Sequence, residues 1–424
     1  MADPRFGSGP EDFVWASGIE DTFIPQTRPG HRALDEYELM DHYAHWRDDL
    51  SLGRELGVRA MRWGVPWYRV EPRRGEFDWT WTDQVLAYLV EELSITPIVD
   101  LMHYGCPLWL GREFASPEYP QAVSSYARAF AERYAQLVRW YTPLNEPLVN
   151  AEWCGLRGRW PPYLRGERGH IRLMLQLADG ILATVAAIQS VQPDAIMVHV
   201  EATGLARAAS PDLASVASAD QSRRFLMYDL ITGRVTPEHT LFPWLVVNGA
   251  SANVLRSFVR RAVSLDVLGI NFYPQWSTEA IDIDARGHLV RRPVERDGAG
   301  FPELLRKYYD RYRAPIMVTE TSAEGTDKLR SDWLRESLAA IKHARAEGVP
   351  VVGYTWFPLF TMIEWHYRFS MRPKEDYLVQ LGLYRLAAGS NPRWRPTPLV
   401  EQFKRAIQQS ESSIGTLAAQ DDNR

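Results

Sequence analysis

Pro315-Ile-Met-Val-Thr-Glu-Thr321 is the stretch on which the fold turns. Three apolar residues behind a proline give way to polar ones. The run therefore reads as a short buried strand, 315–321, whose polar end reaches a surface. Residues 328–347 then carry apolar side chains at helical spacing, and Pro350-Val-Val-Gly-Tyr-Thr-Trp356 is a second apolar run. Strand, helix and strand in so short a span form a parallel unit, because parallel strands need a crossover and a helix is the usual one.

The same alternation extends toward the N-terminus. Strands are expected at 13–17, 58–64, 96–102, 139–144, 195–202 and 266–273. Helices are expected at 41–56, 82–93, 121–138, 171–191, 212–231, 253–262 and 302–312, with a last one at 396–408. In the third of these, Val123, Tyr126, Ala127, Phe130, Tyr134, Leu137 and Val138 share one face. No Pro/Gly/Ser linker divides the chain, and 159–163 and 275–301 read as long loops. Eight strands with interleaved helices close into a barrel. The expected class is α/β: a single (β/α)8 TIM barrel over residues 1–408, with 409–424 a disordered C-terminal tail. A doubly wound open sheet is the alternative, and polar residues at many strand ends favour the barrel.

Composition narrows the function. Of 424 residues, 46% are hydrophobic and 24% charged, which excludes a disordered or low-complexity chain. Lys and Arg number 48 against 53 Asp and Glu, a net charge of −5, whereas nucleic-acid binders carry a basic excess. No run of 18 apolar residues occurs, so no membrane span is expected. Met1-Ala-Asp-Pro-Arg-Phe6 does not read as a secretory leader, and two cysteines, Cys106 and Cys154, in no metal or redox spacing, suit a reduced, cytoplasmic protein. Aromatic residues reach 12%, with 16 Trp and 19 Tyr. Flat apolar rings of that kind stack on ligands whose faces carry C–H groups, as sugars do.

In a barrel the site lies at the C-terminal ends of the strands. Polar residues found there are Glu20 and Asp21, Arg62, His103, Asn145 and Glu146, Glu201, Asn271 and Tyr273, Glu320, and Glu364. Carboxylates gathered at one mouth repel one another, and acid/base chemistry is a reason to keep them. Glu146 in Thr142-Pro-Leu-Asn-Glu-Pro147 is presented where Pro147 turns the chain. Glu320 marks the first polar step of its strand. The two stand three βα units apart and should face each other across the mouth. Such a pair suits glycoside hydrolysis, in which one carboxylic acid protonates the leaving oxygen and one carboxylate attacks the anomeric carbon. Arg62 is the candidate counter-cation of Glu320 and Tyr273 a hydroxyl donor. His103 and Asn145 are candidate sugar contacts.

These residues resemble glycoside hydrolase family 1, the β-glucosidase-like retaining enzymes, over roughly Phe13 to Leu386. The motifs are Met61-Arg-Trp-Gly-Val-Pro-Trp-Tyr-Arg69, Val99-Asp-Leu-Met-His103, Asn145-Glu-Pro147, Gly269-Ile-Asn-Phe-Tyr273, Val318-Thr-Glu320, Gly353-Tyr-Thr-Trp356 and Glu364-Trp365. The resemblance implies Glu146 as acid/base and Glu320 as nucleophile, with Arg62 and Tyr273 orienting Glu320. It places His103, Asn145, Glu364 and Trp365 at the sugar, with Trp356 as its stacking floor, and Asn271 is a further candidate sugar contact. No glutamine follows the first strand where the family has one, and Glu20 is expected to take its place. His103 is followed by Tyr104 rather than Trp, and one extra residue separates Trp356 from Glu364. The phosphate-binding pattern of the 6-phospho members is not reproduced around 370–377.

The expected function is a retaining β-glycosidase acting on a small glycoside or oligosaccharide, with no cofactor and no metal, and with neither nucleic acid nor membrane as partner. Two alternatives share the fold: a non-catalytic sugar-binding protein, and a transglycosidase acting on a specialised metabolite.

Overall fold

In the computed structural model, residues 13–294, 298–387, 389 and 392–421 are described, with 411–421 as backbone alone. Eight parallel strands close on themselves in chain order: β1 Val14–Gly18, β2 Ala60–Gly64, β3 Thr96–Asp100, β4 Trp140–Thr142, β5 Ile196–Ala202, β6 Val267–Asn271, β7 Ile316–Thr321 and β8 Val351–Trp356. The ring is sealed by β8 against β1, from Val14↔Gly353 to Ser17↔Trp356. Residues spaced two apart face the same way. Ala16, Ala60, Ile98, Ile196, Val198, Val267, Met317 and Val352 accordingly form an apolar plug inside the barrel. One pair further along the strands, Arg62 and Asp100 point into the same interior, so the plug forms the floor beneath a polar mouth.

Outer-face residues pack on the surrounding helices. His42–Leu56 ends at Gly57, whose φ of 85° supplies the left-handed cap that a β-carbon would penalise. Asp327–Ala346 starts at Thr326, whose side chain caps the Leu329 amide. Gly166–Val191 is long and apolar enough to cross a bilayer, yet 67% of its most apolar window is buried, which marks it as a core helix of the barrel's outer layer.

Two expectations need correction. Residues 275–301 are not a plain loop: Thr278–Ile283 pairs antiparallel with Leu289–Pro293 and in parallel with Leu205–Ala208, forming a three-stranded sheet outside the barrel. Alternating Thr278, Ala280 and Asp282 and the Asp284–Gly287 turn, with Gly287 at φ 80°, account for it. The last helix, expected to end near 408, runs from Pro398 to Asp421. No proline interrupts it, and its Gln, Glu, Leu and Ala residues favour helix. The proposed tail therefore continues as helix to Asp421, and 422–424 lie outside the described residues.

Candidate active site

The strand ends bring the expected carboxylates into one buried network. Between Val318 and Glu320 the register of β7 against β6 shifts. Such a bulge re-aims a side chain, and it turns Glu320 into the mouth alongside Thr319. Glu320 is 4% exposed. Its Oε1 accepts from Arg62 Nη1 at 2.6 Å and its Oε2 from the Tyr273 hydroxyl at 2.7 Å. Burial lifts the Glu320 carboxyl above its usual range, and Glu146 adds to this while Arg62 opposes it. Arg62, fully buried, also reaches Asp100 Oδ2 at 2.5 Å and Asn145 Oδ1 at 3.0 Å. Burial would raise Asp100, but Arg62 and His103 outweigh it and hold this carboxyl below its ordinary value.

Glu146 sits where β4 has ended and the helix Pro147–Ala151 begins, with φ 42° and ψ 60°. That left-handed backbone is uncommon for a residue with a β-carbon. Its amide donates to Val200 O at 3.2 Å. The next turn is tied down by Glu201, which accepts from the Leu148 amide at 3.1 Å. Burial, with Glu146 adding to it, pushes Glu201 well above the carboxylate range, while the Leu148 and Ala202 amides donate to its oxygens. Glu146 Oε1 accepts from Asn271 Nδ2 at 2.9 Å, and Tyr104 donates its hydroxyl to Oε2. Asn271 was expected to touch sugar. Its Nδ2 donates to Glu146, and its Oδ1 accepts from Thr319 at 2.7 Å.

His103 is surrounded by acids: Asp21 Oδ1 lies 2.8 Å from Nδ1 and Glu20 Oε1 lies 3.5 Å from Nε2. Burial disfavours a charged ring, but Asp21 and Glu20 outweigh it and raise His103 well above its ordinary value. The Asn145 amine, 2.9 Å from Nε2, favours a neutral ring, and the two nearby charges exceed that single contact in buried surroundings. Glu20 belongs to the same cluster, as expected, and Thr22 donates to it through N and Oγ1 at 3.1 and 2.5 Å. Asp21, Asp100 and His103 are also the grouping among the described residues whose ligand atoms lie close enough for a metal, within 4.8 Å. The Arg62 guanidinium on Asp100 already places a fixed cation there and would repel a second.

One expected sugar contact lies elsewhere. A register shift against β7 between Val351 and Gly353 resets the alternation of β8, and Trp356 falls on its outward face with Tyr354, whose hydroxyl meets Ser337 of an outer helix at 2.9 Å. The Trp356 indole donates to Leu381 O at 3.0 Å on the side away from the mouth, so it cannot be a sugar floor. Phe357, one residue on, faces inward: its ring lies 5.2 Å from the Arg62 guanidinium and is what a β-carbon on Gly18 would strike, at 2.8 Å. Counting from Phe357 to Glu364 also removes the extra residue in the motif spacing. Glu364 caps the turn Trp365–Phe369 and sits 2.5 Å from His366 Nδ1, its side chain still partly exposed. Trp365 stands edge-on to Tyr104 at 5.6 Å, and its buried indole N–H has no partner among the described residues.

Sequence reading gave no role to Tyr104, Phe357 or Asp100, and named Asp21 only as one of the polar residues at the strand ends. Tyr104 was visible as the residue after His103. Phe357 was hidden because alternation along β8 cannot say which of two adjacent aromatics faces in.

A family model described as glycosyl hydrolase family 1 matches residues 16–231. Among curated relatives, "Beta-glucosidase A" of Thermotoga maritima is 25% identical over 361 residues, covering 78% of this chain and 80% of that protein. A "Bifunctional beta-D-glucosidase/beta-D-fucosidase" of Bifidobacterium breve is 26% identical, covering 78% and 82%. Among solved structures, the family 1 β-glucosidase of Thermotoga maritima in complex with isofagomine lactam superposes with a TM-score of 0.82 at 21% identity, covering 96% of this chain and 99% of that one.

Proposed function

The chain belongs to glycosyl hydrolase family 1, and we propose that it cleaves β-O-glycosidic bonds by double displacement, with Glu320 as nucleophile and Glu146 as acid/base. It is a glycoside hydrolase with a retaining β-glycosidase's pair of carboxylates. In the first step a Glu320 oxygen bonds to the anomeric carbon as the glycosidic C–O bond breaks, and Glu146 gives its proton to the departing oxygen. In the second, ionised Glu146 takes a proton from water, whose oxygen displaces Glu320 from the anomeric carbon with configuration kept.

The observation that carries this reading is the unequal furnishing of the two acids. Glu320 has a guanidinium on one oxygen and a phenol on the other, both stabilising the anion. Glu146 has two neutral partners, Asn271 and Tyr104, which suit a group that holds and releases a proton. Binding alone would not need this asymmetry, so a catalyst is favoured over a sugar-binding protein. His103, Glu20, Trp365 and Phe357 would hold the glycone, Phe357 supplying the flat face assigned at first to Trp356. A cytoplasmic location belongs to the same proposal and is supported by Cys106 and Cys154, two free, buried thiols.

Incubation with activated 2-deoxy-2-fluoro glycosides of several sugars tests the mechanism. A covalent adduct on Glu320, found by peptide mass spectrometry, is the expected result. An adduct elsewhere, or none with any glycoside that is turned over, overturns it.

A further inference from the structure

Many arginines in this protein face a carboxylate, as Arg133 does Asp83 at 2.6 Å, Arg311 does Asp229 at 2.6 Å and Arg291 does Asp220 at 2.5 Å. The arginines at one side of the mouth do not. Arg28 lies flat over the Tyr163 ring, 3.4 Å from its centroid. Arg32 lies over Tyr367 at the same distance and donates to the carbonyls of Tyr367 and Arg372. Arg368 is fully buried and donates to Ile24 O, Arg32 O and the Tyr163 hydroxyl. Arg159 lies over Trp153 at 5.4 Å and meets His366 Nε2 at 3.4 Å. These partners are rings, carbonyls, a phenol and an imidazole. Glu364 in the same loop sits against His366, and burial pushes Glu113, which faces Arg368, up to about 8, so Glu113 carries little charge at neutral pH.

An aromatic path joins this group to the catalytic acid. Tyr104 bonds Glu146, Trp365 stands 5.6 Å from Tyr104, Trp153 stands 5.6 Å from Trp365, and Arg159 covers Trp153. Four guanidiniums with no carboxylate bonded to any of them among the described residues cost stability unless something else supplies negative charge, and the partly exposed Glu364 beyond His366 supplies only part of it. Stacking on rings fixes the guanidinium planes and leaves their N–H edges to bind an anion.

We propose that the natural substrate is an anionic glycoside, with a carboxylate or sulfate that reaches past Trp365 to Arg28 and Arg159. This rests on the glycosidase reading and extends it to substrate class. The anion can belong to the sugar or to the leaving group, since both present the same chemistry to the rim.

The test compares three 4-nitrophenyl substrates on the full-length enzyme: the neutral glycoside turned over fastest, its analogue carrying a ring carboxylate, and the matching glycuronide. At low ionic strength one charged substrate should exceed the neutral one in kcat/KM by about tenfold, and the advantage should shrink as salt rises toward 0.5 M. The double variant Arg28→Gln/Arg159→Gln should lose most of that preference, with its melting temperature checked to exclude misfolding. The winning analogue assigns the charge to leaving group or sugar. Equal kcat/KM on all three, independent of salt and of the two arginines, overturns the proposal. Calorimetric binding of the same three compounds to Glu320→Gln reads the charge preference without turnover. A missing adduct in the fluoro-sugar experiment would thus sink the mechanism alone, and absent charge preference the substrate class alone.

Discussion

Gly64 leaves open the space that Asp21 fills: a β-carbon on Gly64 would lie 1.5 Å from Asp21 Oδ2. In that slot Asp21 stands 2.8 Å from His103 Nδ1. Gly64→Ala should therefore push the carboxylate off the imidazole and cost about 1–3 kcal/mol of stability by overpacking, measured by denaturant unfolding. Asp21→Asn keeps the shape and removes the charge. His103 is raised chiefly by Asp21 against burial. Its titration, followed by NMR, should move to lower pH in Asp21→Asn, and KM should begin to rise at lower pH than in the parent.

Removing the Tyr104 hydroxyl from Glu146 should weaken general-acid assistance. Tyr104→Phe is expected to slow glycosides with poor leaving groups, such as alkyl glycosides, by about ten- to a hundredfold. Nitrophenyl glycosides, which leave with little protonation, should slow far less. Equal losses on both classes would show that Tyr104 acts on something other than proton transfer.

Arg62→Met leaves Asp100 and Glu320 buried without their shared cation. Breaking such a pair costs about 3–5 kcal/mol. The variant should unfold earlier in urea and lose at least about a hundredfold in kcat/KM.

Glu113 offers a pH test away from the chemistry. Burial pushes it up to about 8 from its ordinary 4.5. A carboxyl raised on folding contributes stability that is complete below the unfolded value and is lost as pH climbs through the folded one. Glu113→Gln, which can still accept from the Cys106 amide as Glu113 does at 3.0 Å, removes that dependence. The difference in unfolding free energy between variant and parent should move in favour of the variant, by a few kcal/mol in all, between about pH 4.5 and 8. A difference that stays flat across that window would show that Glu113 does not titrate there.

Alternation between strand and helix periods located all eight barrel strands to within a few residues, because each strand is an apolar run bounded by turn residues. The catalytic candidates were legible because Pro147 and the polar step at Glu320 mark strand ends. Second partners were not. Whether Trp356 or Phe357 faces inward depends on strand orientation, and the Asn271–Glu146 bond rests on a proximity that no spacing records. The sheet built by 278–283 and 289–293 was missed although the Asp284–Gly287 turn marks a hairpin, and its third strand, 205–208, joins from some seventy residues away, a long-range contact without a local pattern.

The backbone at Glu146 turns left-handed, a conformation that costs an ordinary residue about 1–2 kcal/mol and glycine almost nothing. A lineage that lost its need for the reaction would therefore be drawn toward glycine at this position, trading turnover for a sturdier barrel. Retention of an acid there, against that pull, is a mark by which working members of such a lineage can be told from idle ones.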